Sequence, residues 1–417
     1  MQEIVEGYEL SPQQKELWRV MQTTAGEQLA LECEVRVDGA VDRVRLDHAV
    51  QQVLARHEIL RTSYEQIAGL SYPLQVIGER MANDVLVSWN DVLRIKLGAM
   101  SADRQSLHNL VREIAATYAA PEETSVSYLQ YADASEIFNE LVGSQETRGG
   151  REHWERVKAD AAAEPELAIA RSGTGGGELG QVSFNLRRAT QAQLVEFCRE
   201  HAVSEKAVLL TVWAVLLSRL SAQSHLLLYL LSTGRRHEEL VSAVGLFARW
   251  LPLALEVEGN FRTALATVSE QVEFAEKWQE YYQAERESGG TVGYSFEFYE
   301  WPEAIEAAGL RFVITRMHVR QQRPGLSLSV GWEREATRLE LSYDEAVFTN
   351  EAAERLSEEY ETLLRSALAE SAAQLSELDI VGARERDQLL SVMRGPVRQQ
   401  SRQPVTDGFL TQAQARP

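Results

Sequence analysis

The sequence predicts a mixed α/β protein built from two subdomains, and three observations support this fold class. The chain has 417 residues, which exceeds the usual size of one hydrophobic core. Helical and strand patterns alternate in both halves of the chain, as is typical of mixed α/β folds. A glycine-rich stretch at residues 171–180 separates the two patterns and is typical of a linker. We therefore expect one subdomain at residues 1–170 and a second at residues 181–395.

The first half opens with a predicted helix. Ser11 is a suitable N-cap, and Pro12 suits the first helical position because that position needs no backbone N–H. The other elements of this half follow from the spacing of apolar residues. They are a strand at 29–37, a helix at 42–56, strands at 85–89 and 92–99, and a helix at 104–119.

The second half repeats the alternation over a greater length. Alternate residues are apolar in its predicted strands, and apolar residues recur at helical spacing in its predicted helices. Strands are predicted at 181–187, 225–231, 292–299, 311–319, 326–333 and 337–343, and helices at 190–201, 204–220 and 350–369. Residues 396–417 carry Gln, Arg, Pro and Gly with little periodicity, so we expect a linker without a fold of its own.

The composition and charge of the chain argue against nucleic-acid and membrane partners. The chain is 44% hydrophobic and 25% charged, which is typical of an ordinary globular protein. Its net charge of −20 repels phosphate backbones and anionic lipid, so we expect no nucleic-acid partner and no membrane partner. The same acidity is also common among soluble bacterial proteins, so the charge alone names no partner.

The cysteines and the N-terminus predict a cytoplasmic protein. Cys33 and Cys198 are far apart and belong to no CxxC or Cys/His cluster, so neither a metal site nor a disulfide framework is expected. The first residues lack the basic and apolar regions of a signal peptide. The longest apolar run, residues 226–231, is far too short to span a bilayer.

Six short segments then occur in an order that is characteristic of one protein family. They are LSPQQKELW (10–18), RHEILRTSY (56–64), YADASEIFNE (131–140), GREHW (150–154), GRRHEELVSAVGLFARWLPL (234–253) and LSYDEAVF (341–348). Together they resemble the condensation domains of non-ribosomal peptide synthetases, over residues 8–395. The final residues, TDGFLTQAQARP, resemble the start of an adenylation domain. The chain is therefore interpreted as a piece of a longer modular enzyme, with residues 396–417 leading toward an adenylation domain.

This resemblance implies a fold, a reaction and partners. Two chloramphenicol-acetyltransferase-like subdomains form a V-shaped pseudo-dimer, and a tunnel between them admits phosphopantetheine arms from peptidyl carrier proteins on opposite faces. No cofactor is bound tightly, because the arm belongs to the carrier proteins. An amine on the acceptor arm attacks a thioester on the donor arm. The second histidine of an HHxxxDG motif acts as a general base or positions the amine, and either role suits an imidazole.

The histidine motif itself is degenerate in this chain. Its position is occupied by GAMSADR, in which Gly98 and Ala99 replace the two histidines. Neither residue can move a proton or accept a side-chain hydrogen bond. Asp103 persists, and the resemblance implies that it supports the loop by pairing with Arg61. The sequence therefore favours a retained scaffold around a lost catalytic group, and we identify no catalytic residue.

Two further departures from the family pattern point the same way. A stretch that includes a helix is missing between residues 75–80 and the degenerate motif, so the first subdomain is shortened. Tyr229 stands where the family usually has glycine, and Arg249 and Trp250 stand where it has asparagine and threonine. Large side chains at these three positions are expected to narrow the tunnel.

Several residues are candidates for replacing the histidine or for binding the carrier arm. His108 lies on a predicted helix and His57 lies in the RHE turn, and structural roles suit both better than catalysis. Ser101 lies in the loop but has no apparent base partner. Lys96 and Arg104 are candidates for holding a phosphate or a carboxylate, or are simply solvated charges.

Two other features have simpler explanations. Trp278, Tyr281 and Tyr282 resemble an aromatic recognition stripe, but their helical spacing is more typical of packing. The glycine-rich stretch is no phosphate loop, because it lacks the GK[ST] ending.

Two functions are compatible with the sequence, and it leaves open whether the protein is an enzyme. The first is a condensation-like scaffold, weakly or not catalytic, that recruits a carrier protein or a trans-acting tailoring enzyme. The second is amide formation without the histidine, driven by proximity of two tethered reactants and by backbone donors near Ser101. An open path to Ala99 favours catalysis, whereas a path blocked by Tyr229 or Trp250, or an exposed apolar patch elsewhere, favours recruitment.

Overall fold

The structure is a computed structural model, and it confirms the mixed α/β class. It describes residues 7–23, 29–121, 129–143, 148–160, 167, 169–170, 178–284, 291–321, 323–334, 336–394 and 405–415. Most of the glycine-rich stretch expected as a linker, residues 171–177, lies outside these ranges, and Leu179 and Gly180 already belong to a strand. Within the described ranges, no helix combines the length and the apolar character needed to cross a membrane.

The first half contains six strands and five helices in the described ranges. They are β1 (Tyr8–Glu9), α1 (Pro12–Thr23), β2 (Ala30–Asp38), α2 (Arg43–Arg56), β3 (Thr62–Glu65), β4 (Leu74–Ile77), β5 (Leu86–Trp89), β6 (Val92–Gly98), α3 (Arg104–Ala119), α4 (Tyr131–Gly143) and α5 (Arg148–Asp160). A single 3-10 turn, Glu58–Arg61, connects α2 to β3. The predicted helices and strands of this half are confirmed, whereas β1, the short β3–β4 pair and the helices α4 and α5 were not predicted.

The second half follows the same logic with a larger sheet. Its elements are β7 (Leu179–Asn185), α6 (Arg188–His201), α7 (Glu205–Ser221), β8 (His225–Ser232), α8 (Glu238–Val241), β9 (Arg249–Glu256), α9 (Phe261–Trp278), β10 (Thr291–Glu300), β11 (Ile305–Ala307), β12 (Leu310–Arg320), β13 (Arg323–Trp332), β14 (Arg338–Asp344), α10 (Asn350–Ala369), α11 (Ala383–Arg394) and α12 (Val405–Ala415). A 3-10 turn follows α9 at Gln279–Tyr281.

Three sheets organise the described residues. The second half holds a six-stranded sheet with the order β7-β14-β13-β10-β8-β9, in which β10 is parallel to both of its neighbours. The first half holds a five-stranded sheet with the order β11-β12-β2-β6-β5 and a small sheet with the order β1-β4-β3. The core of the second half is built around α7, on which every residue from Ala207 to Leu217 is buried. A helix that is apolar all round must be buried, which explains its central place.

The two halves exchange segments, so their cores do not follow one boundary in the sequence. Strand β12 comes from the second half but pairs antiparallel with β2, from Arg311 opposite Asp38 to Arg320 opposite Ala30. Phe247 packs in the core of the first half, while Trp154 packs in the core of the second. Sequence periodicity identifies β12 as a strand but carries no information about its partner.

The assignment of residues 396–417 as a linker without a fold of its own stays a prediction. Residues 405–415 form the helix α12, although residues 395–404 lie outside the described ranges. Alanine and glutamine at 412–415 favour a helix, and they outweigh the glycine at 408. The described side chains of α12 are exposed, including Phe409 and Leu410.

Candidate functional site

The degenerate motif lies in the interior, where the two halves meet. Strand β6 ends at Gly98, helix α3 begins at Arg104, and the loop between them is buried. Ala99 and Met100 are each 3% exposed, and Ser101 is fully buried. The small side chains of the loop allow this close packing.

Asp103 holds the loop in place. Its carboxylate caps α3 by accepting hydrogen bonds from the backbone N–H and hydroxyl of Ser106 at 2.9 and 2.7 Å. Arg235 donates to the same oxygen at 2.7 Å. The backbone N–H groups of Phe247 and Ala248 donate to the other oxygen at 3.0 and 3.1 Å. The last three donors belong to residues 235–248 of the second half, so Asp103 fastens the motif loop to this segment, whose Phe247 packs in the core of the first half.

The expected partner of Asp103 was wrong: Arg235 takes the place proposed for Arg61. Arg61 instead donates to the carbonyl of Gly78 at 2.7 Å and pairs with Glu58 at 3.1 Å. Arg235 is better placed because its buried guanidinium lies 4.3 Å from the ring centroid of Phe247. It also donates to two carbonyls of residues 240–243. The pairing joins residues 132 positions apart, and the only signal for it in the sequence was the arginine of the GRRH segment.

The space beside Gly98 is already occupied. A Cβ atom added at Gly98 would lie 1.6 Å from Oδ2 of Asp84. Asp84 belongs to the connection between β4 and β5. Desolvation by burial raises the pKa of the Asp84 carboxyl. This carboxyl group therefore occupies the space into which a side chain at position 98 would extend.

Several backbone polar groups of the loop already form hydrogen bonds within the protein. The N–H of Ala99 donates to Leu29 at 3.4 Å, and the N–H of Ser101 donates to Gly98 at 3.1 Å. The side chain of Gln321 donates to the carbonyls of Ala99 and Ala102 at 3.2 and 2.7 Å. Two of the backbone donors near Ser101, the N–H groups of Ala99 and Ser101, are thus engaged within the protein.

Among the described residues, no base hydrogen-bonds to the Ser101 hydroxyl. Its nearest polar partner is the hydroxyl of Tyr64 at 3.2 Å, which also lies 3.0 Å from the carbonyl of Met100. Burial raises the pKa of Tyr64 well above its usual range. A tyrosine that stays protonated cannot take a proton from the serine, so this pair is a packing network rather than a nucleophile with its base.

Arg104, the last residue of the degenerate motif, bridges the two halves. Its Nε and Nη2 donate to the two carboxylate oxygens of Glu297 at 2.7 and 2.9 Å. Its guanidinium lies 3.8 Å from the ring centroid of Tyr299, and Ser329 donates to Glu297 at 3.0 Å. Glu297 and Tyr299 belong to β10, on the sheet face opposite the buried Phe296. The Arg104 side chain therefore lies between the two sheets.

The two basic candidates of the motif region are therefore both engaged. Arg104 is committed to Glu297, with the two side chains 15% and 9% exposed. Lys96 pairs with Glu32 on the neighbouring strand at 2.9 Å, and this pair is partly open to solvent. Neither is held ready for a phosphate or a carboxylate.

The three residues expected to narrow the tunnel lie on two different faces. Tyr229 lies opposite Pro252 and Trp250 opposite Leu231, so both share the face of the six-stranded sheet turned away from its core. Arg249 points to the other face and is 6% exposed, and it donates to the carbonyl of Gln279. That these side chains narrow a path to Ala99 stays a prediction.

The other candidates occupy structural positions. His57 lies 3.0 Å from the carboxylate of Glu113 and is buried, which ties the end of α2 to α3. His108 contacts Gln105, and burial lowers its pKa. Among the described residues, neither histidine hydrogen-bonds to residues 98–103. The indole N–H of Trp154 donates to the carbonyl of Trp278 at 2.8 Å, so packing explains that part of the aromatic stripe.

A cavity of about 390 Å³ lies between the halves on another side, and sequence reasoning missed it. Glu16 and Arg19 of α1 face it together with Arg249 and Tyr282 of the second half. Burial raises the pKa of Glu16 to about 7, against the opposing charges of Arg249 and Arg19. Both α1 residues lie near the LSPQQKELW segment, but a charged residue on an amphipathic helix gives no sign that the second half covers it.

A second, more open cavity of about 610 Å³ lies at the connection between β4 and β5. Residues 61–64 and 78–84 line it, including Tyr64 and Asp84. Across the described ranges, no cluster of three or more His, Cys, Asp or Glu side chains is arranged to hold a metal ion.

Comparison with known proteins shows one consistent relationship. The family model described as "Condensation domain" matches residues 101–390. Bacitracin synthase 1 of Bacillus licheniformis is 23% identical over 433 residues, covering 92% of this chain and 8% of that protein. Surfactin synthase subunit 2 of Bacillus subtilis is also 23% identical, covering 92% of this chain and 12% of that protein. The chain thus spans roughly a tenth of the length of these relatives.

Solved structures show the same fold. The condensation domain of the monacolin K polyketide synthase MokA has a TM-score of 0.77 at 16% identity, covering 89% of this chain and 99% of that one. The complex of the X-domain and OxyB from teicoplanin biosynthesis has a TM-score of 0.73 at 19% identity, covering 90% of this chain and 96% of that one. This likeness confirms the predicted fold of two chloramphenicol-acetyltransferase-like subdomains.

Proposed function

The chain belongs to the condensation domain family, and from this premise we propose that it is a docking platform within a non-ribosomal peptide synthetase. It recruits a peptidyl carrier protein or a trans-acting tailoring enzyme and presents it beside a neighbouring adenylation domain. It does not itself form the amide bond. Phosphopantetheine reaches it only as the arm of a carrier protein.

One observation carries this proposal: the bridge from Arg104 to Glu297 occupies the space between the two sheets. Two parallel charge-assisted hydrogen bonds at 2.7 and 2.9 Å make it a strong and geometrically fixed pair. Separating the pair for an incoming arm would leave two poorly solvated charges unpaired, which typically costs about 3–5 kcal/mol. A carrier arm directed at Ala99 has to compete with this bridge.

The chemistry of the loop supports the same conclusion. Gly98 and Ala99 offer no group that can accept the proton of an attacking amine. The N–H of Ser101 is already bonded to Gly98, so it offers no oxyanion donor. Proximity alone would then have to provide the acceleration, and the Arg104 bridge opposes the close approach that proximity requires.

The scaffold, in contrast, is intact. Asp103 accepts five hydrogen bonds and keeps the motif loop fastened to the second half. A retained fold around a closed centre suits a recruitment role. The X-domain, to which this chain is structurally similar, is described in complex with OxyB in teicoplanin biosynthesis. A tailoring enzyme is therefore a reasonable class of partner for this chain.

The test compares condensation with docking on the same samples. The domain is mixed with donor and acceptor carrier proteins of its own synthetase, each loaded with its building block, and products are followed by intact mass. A histidine-bearing condensation domain of that synthetase shows that the loaded carriers are competent. We expect no product above a blank without the domain, and saturable binding of a carrier or tailoring enzyme by fluorescence anisotropy.

Either of two results overturns the proposal. Product from the wild-type domain would restore the alternative, amide formation without the histidine. Absence of binding to every carrier and tailoring enzyme of the pathway would remove the docking role. Arg104→Gly combined with Glu297→Gln sharpens the first result, because the double change removes the bridge without leaving the Glu297 carboxylate free to act as a proton acceptor.

A further inference from the structure

The cavity of about 390 Å³ between α1 and the second half has the features of a small-molecule site. Its volume lies within the range of about 300–1,000 Å³ that is typical of ligand pockets. Its walls come from α1, from residues 70–74, from α4 and from residues 282–284. It is separate from the loop that carries the degenerate motif, since no residue of 98–104 lines it.

Arg249 provides a buried cation in this cavity. It is 6% exposed and makes one hydrogen bond within the described ranges, to the carbonyl of Gln279. A guanidinium carries five N–H donors, so most of its capacity is unused. The sequence predicted that Arg249 would narrow a tunnel, but its unused donors give it a binding capacity that a merely bulky side chain lacks.

Glu16 provides a carboxyl group that faces the same cavity, and a bound ammonium group would favour the ionised form of this carboxyl. Its carboxylate accepts no hydrogen bond and forms no ion pair with any described residue, although Arg249 and Arg19 both influence its charge. The neighbouring basic residues are already engaged: Lys15 binds Glu9 and Asn139, and Arg19 donates to the carbonyls of Lys15 and Ala284. Glu16 and Arg249 are thus two opposite charges that share one cavity without contacting each other.

A ligand with complementary charges would satisfy both Arg249 and Glu16. A partly buried charge without a hydrogen-bond partner is costly, and a bound molecule that satisfies it recovers that cost. A carboxylate matches the planar donor fork of arginine, and an ammonium group matches a carboxylate. A molecule that carries both groups close together satisfies Arg249 and Glu16 at once.

The rest of the lining indicates the third part of the ligand. Its apolar and aromatic members come from both halves of the chain. They are Leu10, Pro12, Leu70, Tyr72, Pro73 and Tyr282. An apolar or aromatic side chain is the group that such walls accommodate best.

We propose that this cavity binds a free α-amino acid with an apolar or aromatic side chain, its carboxylate on Arg249 and its ammonium group beside Glu16. The site goes beyond the docking role and does not depend on it, because no carrier-borne group is needed to fill it. A carrier-tethered amino acid is a different ligand, since its carboxyl group is consumed in the thioester and offers no charge to Arg249.

The test uses the full chain and a set of related probes. Binding of L-phenylalanine and L-leucine is measured by isothermal titration calorimetry, together with phenethylamine, which lacks the carboxylate, and N-acetyl-L-phenylalanine, which lacks the ammonium group. We expect the free amino acid to bind and each probe with one missing charge to bind about tenfold more weakly or worse, as the loss of one charge-assisted contact predicts.

Two variants test the assignment of the groups. Arg249→Leu is expected to reduce affinity for the free amino acid about tenfold or more, and Glu16→Gln to reduce it by a smaller factor. Arg43→Leu is the matched control, because that arginine is exposed and lies in α2, away from the cavity. If Arg249→Leu fails to fold, Glu16→Gln and the probe series still decide the question.

Three results would overturn the proposal. One is that neither amino acid binds at millimolar concentration. Another is equal binding of the probe that lacks the carboxylate. The last is binding of an aminoacyl-pantetheine thioester without binding of the free amino acid, which would assign the cavity to a carrier arm instead.

Discussion

Two regions at the junction of the halves each contain a carboxylate, and the two carboxylates differ in how many hydrogen bonds they accept. Asp103 is buried and accepts five hydrogen bonds, three of them from the other half. Glu16 faces a cavity and accepts none from the described residues. The comparison separates two uses of polar groups at the same junction. A saturated carboxylate holds the halves together, whereas an unsaturated one is available to a ligand.

The largest effect is expected from Asp103→Ala. The change leaves the Arg235 charge unpaired in the interior, removes the cap of α3 and orphans the N–H groups of Phe247 and Ala248. We expect the free energy of unfolding to fall by about 4 kcal/mol, since breaking a buried pair by removing one partner typically costs 3–5 kcal/mol. Urea denaturation followed by circular dichroism measures this.

The matched control for Asp103 is Arg61→Met. Arg61 belongs to the same subdomain, but among the described residues its side chain bonds to Gly78 and Glu58 alone. Its replacement should cost about 1 kcal/mol, as for a partly exposed pair and one carbonyl contact. If Arg61→Met destabilised the protein as much as Asp103→Ala, the structural role assigned to the pair of Asp103 and Arg235 would be wrong.

The sequence predicted the local part of this region and not the long-range part. The helix at 104–119 was predicted and is observed at Arg104–Ala119, because apolar periodicity is a property of neighbouring residues. The partner of Asp103 was predicted wrongly, because an ion pair across 132 positions leaves no periodic trace. The pairing of β12 with β2 escaped prediction for the same reason.

Glu16 shows a second limit of sequence reasoning. The sequence predicts a solvent-facing position for Glu16 on α1. In the structure, Arg249 and residues 282–284 of the second half line the same cavity and cover this side chain. Burial depends on the assembly of both halves, so the raised pKa of this carboxyl was not predictable. In contrast, the sequence alone shows that the side chains of Gly98 and Ala99 cannot accept a proton, because this property does not depend on what surrounds them.

Glu16→Gln tests whether the Glu16 carboxylate lacks hydrogen-bond partners, through the pH dependence of the free energy of unfolding. The pKa of Glu16 is raised from 4.5 to about 7 in the folded protein, so the folded state favours the protonated carboxyl. Its contribution to stability is fully present below pH 4.5 and is lost as the pH rises through 7. Glutamine resembles the protonated form, so the variant should gain stability relative to the wild type by about 2 kcal/mol between pH 5 and pH 8.

Urea denaturation of both proteins at the two pH values measures the difference. Glu9→Gln serves as the control, because Glu9 is largely exposed and pairs only with Lys15. A stability difference between Glu16→Gln and the wild type that stays constant from pH 5 to pH 8 would show that Glu16 is well solvated. In that case Glu16 would not be an unsatisfied anion at the cavity.

The smallest effect concerns a third carboxylate, that of Asp84. Its surroundings are intermediate between those of Asp103, which accepts five hydrogen bonds, and those of Glu16, which faces a cavity. It is held by packing against Gly98, where an added Cβ would lie 1.6 Å from Oδ2. Gly98→Ala must therefore displace the end of a flexible side chain, which we expect to cost about 1–2 kcal/mol. When Asp84→Ala is added to Gly98→Ala, we expect the double variant to regain about 1 kcal/mol of the stability lost by Gly98→Ala. The effects of substitutions at two residues in contact are not additive.

A double-mutant cycle by thermal unfolding measures the coupling, and Gly382→Ala is the control because an added Cβ there meets only an ordinary contact at 3.7 Å. Additive effects of the Gly98 and Asp84 changes would mean that the carboxylate does not fill the vacated space. A coupling of the expected sign would show that the Asp84 carboxylate fills the space that a side chain at position 98 needs. A histidine introduced at position 98 alone would then meet this carboxylate.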